Sequence, residues 1–367
     1  MKRELWLIFL VIFVDSLGFG LVIPTLPFIA TKFGASAIII GLLMSAYPFF
    51  QFFGSPILGK LSDRVGRKPI LSLSLLGSAI SYILIVFSQS IAMFFVSRSI
   101  AGLTGGSISV AQAYITDVAQ GKERTKAIGM IGASFGLGFI LGPLIGGLLT
   151  SYGLAMPFAF AGILSFINAV LIMIIVPEPK HHSVKKDKKK MNMKIIREVI
   201  EPKIVLHLIL LLFFMSLSAS LIQGVFPLFA SDVFKWDARF TGIFFAYIGL
   251  MLVIAQGILL RKFLIYITEK RLIQISLFVL AFGFLFIYQE RFVYLGATLI
   301  AVPFGILITT LQSEISAYSD PSEQGVVLGI SQGANSLAQA IGPALGGFLF
   351  GNFFFKRLFI SVLYLFL

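Results

Sequence analysis

Long apolar stretches, each followed by a short polar or charged segment, recur along the whole chain. A helix needs about 20 predominantly apolar residues to cross the hydrocarbon core of a bilayer. Eleven stretches meet this length and a twelfth is short, so the pattern predicts an all-α membrane protein with twelve transmembrane helices. The predicted spans are residues 5–28, 38–58, 70–88, 91–113, 127–150, 155–176, 204–230, 240–259, 272–288, 292–313, 325–350 and a stub from 358.

A polar, charged segment flanked by prolines interrupts the series after the sixth span. It divides the chain into two bundles of six helices, residues 1–177 and 204–367, joined by a basic linker at residues 178–203. The two bundles are related in sequence at an offset of 200 residues. Parallel repeats of this kind place a substrate site near mid-membrane between the bundles. The coinciding pairs are Gly129/Gly329, Gly142/Gly342, Pro143/Pro343, Gly146/Gly346, Gly147/Gly347 and, just upstream, Glu123/Glu323.

The composition and the charge distribution also indicate that most of the chain is surrounded by lipid. Of the 367 residues, 58% are hydrophobic and 12% are charged, whereas a soluble domain carries about 25% charged residues. The net charge of +13 lies in short clusters between apolar stretches, which favours a juxtamembrane bias over a nucleic-acid partner. If the N-terminus is cytoplasmic, 22 of the 29 basic residues lie inside, six outside and Arg98 within a span. This asymmetry predicts a cytoplasmic N-terminus.

Residues that carry catalysis or bind metals are scarce. The chain has no Cys and only three His, two of which lie in the basic linker. It also lacks the G-x-x-x-x-G-K-[ST] loop that cradles phosphates, and the spans contain no paired carboxylates. We therefore expect neither an enzyme nor a metal site, no cofactor, and no use of ATP.

One carboxyl lies well inside a predicted span, where an ionisable group is costly and typically marks a pathway or a proton relay. Asp15 follows about ten residues of the first helix, close to the bilayer centre. Burial disfavours the charged form of a carboxyl, so Asp15 is suited to loading and releasing a proton. The alternative is a carboxyl that caps a kink at Gly18 and Gly20, or that bonds to a neighbouring helix.

One guanidinium also lies inside a span, roughly two turns into the fourth helix from its outer end. Arg98 stays charged, so it needs an anionic substrate, carbonyl partners or a carboxylate. Snorkelling towards the outer surface is the alternative. Gly102, Gly105 and Gly106 follow it and permit close approach of helices.

Nine uncharged polar residues stand out within the spans. Each is able to hydrogen-bond a substrate, although most residues of this kind join helices together. Six are candidate substrate contacts: Gln51, Gln112, Gln223, Tyr247, Gln312 and Asn335. The other three are Asn168, Gln256 and Gln339.

The loop between the second and third spans reads Gly-Lys-Leu-Ser-Asp-Arg-Val-Gly-Arg-Lys-Pro from residue 59 to residue 69. It closely resembles the Gly-x-Leu-x-Asp-Arg-x-Gly-Arg-Arg/Lys signature of the major facilitator superfamily. The resemblance implies the major facilitator fold and a cytoplasmic gate that holds the outward-open state shut. Asp63 would then meet the start of the eleventh helix, and Arg67 would pair with Asp117. The implied gate residues are Gly59, Asp63, Arg64, Gly66, Arg67, Lys68 and Asp117.

The fifth span carries a motif of small residues: Gly138, Gly142, Pro143, Gly146 and Gly147. Gly342 and Pro343 repeat part of it in the eleventh span. The motif is similar to that of drug:proton antiporters. Small residues allow close packing of helices.

The first and fourth spans, from Asp15 to Pro27 and from Arg98 to Asp117, resemble the tetracycline-efflux branch of the superfamily. That resemblance implies that Asp15 and Arg98 belong to the proton-coupling machinery. It also implies a protein of a bacterial inner membrane that exports small molecules, drugs above all, by alternating access. We expect a monomer with a small-molecule substrate, protons and lipid as its partners.

Other functions on the same fold stay open. A major facilitator transporter of a sugar or organic anion is the main alternative, in which Arg98 would bind the anion. A sensor with the same fold but no flux is another. Lys356, Arg357 and the short twelfth stretch suggest that the C-terminus is truncated or altered.

Overall fold

The computed structural model describes residues 3–179, 203–318 and 324–352, and these residues are almost entirely helical. The stub from residue 358 and most of the 178–203 linker lie outside this part of the chain. The N-terminal bundle contains α1 (Arg3–Lys32), α2 (Ala37–Val65), α3 (Arg67–Val86), α4 (Ile91–Leu103), α5 (Ser107–Val118), α6 (Gly121–Leu149) and α7 (Met156–Ile175). The C-terminal bundle contains α8 (Lys203–Val233), α9 (Ala238–Ile254), α10 (Leu260–Tyr266), α11 (Glu269–Gly283), α12 (Val293–Ala317) and α13 (Gln324–Asn352).

Helices occupy all eleven of the full-length spans that the hydropathy pattern predicts. Within the described ranges, nine helical segments are long and apolar enough to cross a membrane when α4 is joined to α5 and α9 to α10. A turn of π-helix, Ala255–Leu259, links α9 to α10. The ninth span ends earlier than predicted, because α11 ends at Gly283 rather than near residue 288. Gly283 packs closely against Leu299 and Ile300 of α12, and the chain then continues in turns.

The fourth span is broken, which corrects the prediction of one continuous helix over residues 91–113. Its two halves, α4 and α5, are separated at Thr104, Gly105 and Gly106. A broken helix inside a membrane needs new partners for its freed backbone groups. Gln51 of α2 provides one, because its side-chain amide donates a 3.1 Å hydrogen bond to the Gly105 carbonyl.

The two bundles repeat the same internal packing. In the N-terminal bundle α1 packs on α6, where Gly142 lies against Leu17 and Gly20. In the C-terminal bundle α8 packs on α13, where Gly342 lies against Leu217 and Ser220. These contacts are related by the offset of 200 residues that the sequence shows.

Glycines also bring the two bundles into contact. Gly41 of α2 lies against Pro343 and Gly347 of α13, and Gly242 of α9 lies against Pro143 and Gly147 of α6. A Cβ at either Gly41 or Gly242 would collide with backbone atoms of the other bundle. Ser45 adds a hydrogen bond across the first of these contacts, because its Oγ accepts the Ala344 N–H at 2.9 Å.

Among the described residues, the close glycine contacts between the bundles lie towards one face of the molecule. We call the face that carries Arg3 and the loop at Gly66 the basic face. The opposite face carries the C-terminal ends of α1 and α6, at Lys32 and Leu149. One apolar cluster joins Ile23 of the N-terminal bundle to side chains along the C-terminal bundle. Towards the basic face, separate clusters lie within each bundle, and the space beside Gly129 and Gly329 is open.

Candidate functional site

Arg67, at the start of α3, is the centre of a charged network on the basic face. Its Nη1 contacts Asp63 Oδ1 at 2.7 Å and donates to Ser62 Oγ at 2.6 Å. Its Nε donates to Asp117 Oδ2 at 2.9 Å, so the predicted contact between Arg67 and Asp117 is present. The Arg67 side chain is only 11% exposed, and the three bonds fix its planar fork between α2 and α5.

Glu178 holds the same loop and was not predicted from the sequence. Its carboxylate accepts the Arg67 N–H at 2.5 Å and the Lys68 N–H at 3.0 Å. Free N–H groups at a helix start attract a carboxylate, and Gly66 has no side chain of its own to offer. Tyr114 anchors the neighbouring residue, because its hydroxyl donates to the Pro177 carbonyl at 3.0 Å.

The remaining predicted gate residues surround this network. Gly66 has φ of 111°, a conformation that favours glycine. The Gly59 carbonyl accepts a 2.7 Å hydrogen bond from the Ser62 hydroxyl. Arg64 is exposed and Lys68 is half-buried. The partner predicted for Asp63 is the start of the eleventh helix, next to residues 319–323, which lie outside the described residues.

Asp15 lies at the break in the fourth span. Its Oδ2 accepts a 2.6 Å hydrogen bond from Ser107 Oγ, at the first residue of α5. Ser78 of α3 is a second hydroxyl beside this carboxyl. The start of a half-helix inside a membrane carries a partial positive charge and is a recurrent site for anionic groups. The side chain of Asp15 therefore bonds to a neighbouring helix, which was the alternative that the sequence left open.

Arg98 is buried between tyrosines. Its side chain is 2% exposed, so it does not snorkel to the surface. Nη2 donates to Ser81 Oγ at 3.1 Å, and Cζ lies 6.0 Å and 5.7 Å from the ring centroids of Tyr47 and Tyr82. The faces of aromatic rings attract cations at such distances.

Tyr82 connects the surroundings of the two charged residues. Its hydroxyl lies next to Gly18, one turn after Asp15, and its ring lies beside Arg98. Asp15 and Arg98 form no ion pair within the described part of the chain. Each charge is therefore held by its own set of hydroxyl or aromatic neighbours in this conformation.

A cavity lies between the bundles at the point where their close packing ends. Arg98, Phe19 and Met44 line it from the N-terminal bundle, and Gln223 and Gln339 from the C-terminal bundle. Its volume is about 30 Å³, which is room for only a few water molecules. A drug-sized molecule would fit here only if the bundles separated around this point.

Of the six candidate substrate contacts, one lines this cavity, two are bonded within a bundle, and the other three are exposed or half-buried. Gln223 lines the cavity. Gln51 bonds to the Tyr47 hydroxyl and to Gly105, and Tyr247 bonds to Thr298 within the C-terminal bundle. Gln112 and Gln312 are exposed, and Asn335 is half-buried.

The three remaining polar candidates of the spans also lie in different environments. Asn168 donates to the Leu10 carbonyl at 3.5 Å and so joins α7 to α1. Gln256 is exposed within the turn of π-helix, whereas Gln339 lines the cavity.

Two duplicated bundles of membrane-spanning helices with a cavity between them are the architecture of a secondary membrane transporter. The chain belongs to the Major Facilitator Superfamily, whose family model matches residues 8–287.

Among its relatives, the class H tetracycline resistance protein of Pasteurella multocida is 31% identical over 358 residues, covering 95% of this chain and 90% of that protein. Multidrug resistance protein 2 of Bacillus subtilis (strain 168) is 32% identical over 348 residues, covering 92% and 86%. The solved structure of the human organic anion transporter MFSD10 (TETRAN) is similar in fold, with a TM-score of 0.72, 24% identity and coverage of 100% and 98%. The nucleoside transporter NupG has a TM-score of 0.78 at 13% identity, with coverage of 100% and 96%.

Proposed function

We propose that this protein exports drug-like small molecules across a bacterial inner membrane in exchange for protons. The names of its relatives, which are tetracycline and multidrug resistance proteins over about nine-tenths of the chain, support export of drugs. The observation that supports proton coupling is the Asp15 carboxyl, held by Ser107 at the start of a half-helix inside the membrane.

The distribution of charge supports an orientation in which the basic face lies in the cytoplasm. In that orientation the glycine contacts between the bundles would lie on the outside, and the open space beside Gly129 and Gly329 would face the cytoplasm. A substrate would enter between the bundles from the cytoplasm and reach the cavity beside Arg98. Rocking of the bundles would then open the glycine contacts at the opposite face and release the substrate outside.

Asp15 would carry the proton in this cycle. Ionised, its carboxylate accepts the Ser107 hydroxyl and is favoured by the start of α5; protonated, it loses the electrostatic part of that attraction. Protonation would thus change how firmly α1 is held to the broken span. α1 also packs on α6, and α6 contacts α9 of the other bundle at the opposite face. A change in the position of α1 would therefore alter the contact between the bundles.

Arg67 and its partners would form the cytoplasmic gate. The bonds to Asp63, Ser62 and Asp117 all lie within the N-terminal bundle, and they persist while the basic face is open. Their role would be to hold Asp63 in position, so that it meets the start of α13 when the basic face closes. Gly41, Gly242 and the glycines of α6 and α13 would form the corresponding contact at the opposite face.

Transport by purified protein in liposomes with an imposed pH gradient tests the proposed function. The panel contains tetracycline, a fluoroquinolone and tetraphenylphosphonium, beside sugars and small organic acids. We expect at least one drug to accumulate only while the gradient is present, and an ionophore that collapses the gradient to stop it. Gradient-driven flux of a sugar or small organic acid without any drug would favour the alternative transporter.

A further inference from the structure

Arg98 has more hydrogen-bonding capacity than its surroundings use. A guanidinium has five N–H donors and stays charged. Nη2 donates to Ser81, but Nε is buried and has no hydrogen-bond partner. A buried donor without an acceptor is destabilising, so this donor is suited to a group that arrives from elsewhere.

The charge of Arg98 is also unbalanced. Among the described residues no carboxylate forms an ion pair with it, and the Asp15 carboxylate accepts from Ser107 instead. Arg67 of the same bundle shows the usual arrangement, because two carboxylates contact its guanidinium. Buried charges in proteins are normally paired. The rings of Tyr47 and Tyr82 offset part of the positive charge of Arg98 but supply no anion.

The cavity adjoins this guanidinium and combines apolar with amide groups. Phe19, Ile23 and Met44 supply apolar surface, and Gln223 and Gln339 supply amides from the other bundle. A molecule with an apolar ring system and one acidic group would match this surface. Its acid would lie at Arg98, its rings on Phe19 and Met44, and its other polar groups at the two glutamines.

On the basis of the proposed export function, we propose that Arg98 binds the acidic group of the substrate. The protein then selects drug-sized organic acids and zwitterions, with a carboxylate or an enolate, over lipophilic cations of similar size. The anion would complete the ion pair that Arg98 lacks, and the glutamines would close on it from the opposite bundle.

Binding of matched acid and ester probes to the purified protein in detergent tests this inference. The probes are nalidixic acid, its methyl ester, and tetraphenylphosphonium. We expect the acid to bind at least about tenfold more tightly than its ester, the size of effect given by a charge-assisted hydrogen bond in a buried site. Arg98→Gln should reduce this ratio to about threefold or less, and Arg98→Lys should give an intermediate value, because lysine keeps the charge without the planar fork.

Ser99→Ala is the matched control. Ser99 is the next residue, and its hydroxyl donates to the Phe95 carbonyl of the same helix, so this variant should keep the wild-type ratio. The inference is overturned if the ester or tetraphenylphosphonium binds as tightly as the acid, if the acid does not bind, or if Arg98→Gln keeps the full ratio.

Gradient-driven transport of the same probes separates the two proposals. Export of tetraphenylphosphonium with no preference for the acid would leave drug export standing and remove the role of Arg98 in selection. Absence of gradient-driven transport of every probe and every drug would reject the proposed function itself.

Discussion

Ser107 donates a 2.6 Å hydrogen bond to Asp15 Oδ2, and this bond joins the first helix to the break in the fourth. The break exists because Gly105 and Gly106 interrupt the helix, and Gln51 accommodates the freed Gly105 carbonyl. Asp15, the proposed proton carrier, is therefore bonded to the residue that directly follows the break in the fourth span. Discontinuous helices near mid-membrane commonly form ion and substrate sites.

Ser107→Ala tests the contribution of this bond. Ser107 donates to the carboxylate form of Asp15, so its loss should change the balance between the ionised and the protonated carboxyl. The pH profile of gradient-driven transport should then differ measurably from that of the wild type. Ser109→Ala is the control, since that hydroxyl bonds to Gly106 and Ser55 instead. Equal profiles for wild type and Ser107→Ala would show that the bond does not tune the proton site.

Arg67→Lys tests whether the gate depends on the planar guanidinium of Arg67 or only on its positive charge. Lysine cannot reach Asp63, Ser62 and Asp117 with the fixed spacing of a guanidinium. We expect transport to fall by about tenfold or more, as for loss of a buried charge-assisted pair, while exposed Lys60→Gln should transport like wild type. Substrate flux in liposomes measures both variants, and normal flux for Arg67→Lys would argue against a gate built on this network.

Glu178→Ala tests the cap on α3. The variant removes the acceptor of two N–H groups at the helix start. We expect the free energy of unfolding to fall by about 1 kcal/mol, the usual value of an N-terminal cap. Thermal unfolding in detergent measures the loss, and Glu178→Gln should lose less because its amide oxygen still accepts. A melting temperature unchanged by Glu178→Ala would show that the cap adds nothing to stability.

Gly242→Ala tests the closed contact at the opposite face. A Cβ there meets the Pro143 carbonyl and Gly147, so the bundles must move apart. Because the chain has no cysteine, a single Met44→Cys substitution reports access to the interface. We expect a membrane-impermeant thiol reagent added outside to react several-fold faster in Gly242→Ala. Gly132→Ala, where the added Cβ meets open space, should not accelerate the reaction, and equal rates for both would contradict the contact's role in closure.

The sequence predicted the helices well, because each span must be apolar over about 20 residues. The duplication places Gly142 and Gly342 at equivalent positions, and in the structure each packs on the first helix of its own bundle. The Arg67–Asp117 pair was expected from the resemblance to the family signature, and the structure contains it. These features depend on residue types that are read directly along the chain.

Other features depend on distances that the linear sequence does not contain. Glu178 caps a helix start 111 residues away along the chain, and its position after an apolar span gives no sign of that contact. From the sequence, Gly105 and Gly106 were interpreted as glycines that allow helices to pack closely. The break in the helix, where Gln51 bonds to the Gly105 carbonyl, is apparent only in the structure. Which glutamines face the cavity depends on the rotation of each helix, so Gln223 and Gln339 could not be separated from Gln51 beforehand.

Proton coupling through Asp15 is tested most directly by comparing two kinds of transport in liposomes that contain Asp15→Asn. Asparagine still accepts the Ser107 hydroxyl but cannot carry a proton. Accumulation driven by a pH gradient should be lost, whereas exchange of labelled for unlabelled substrate without a gradient should continue. Accumulation in Asp15→Asn that follows the pH gradient as in the wild type would contradict the role of Asp15.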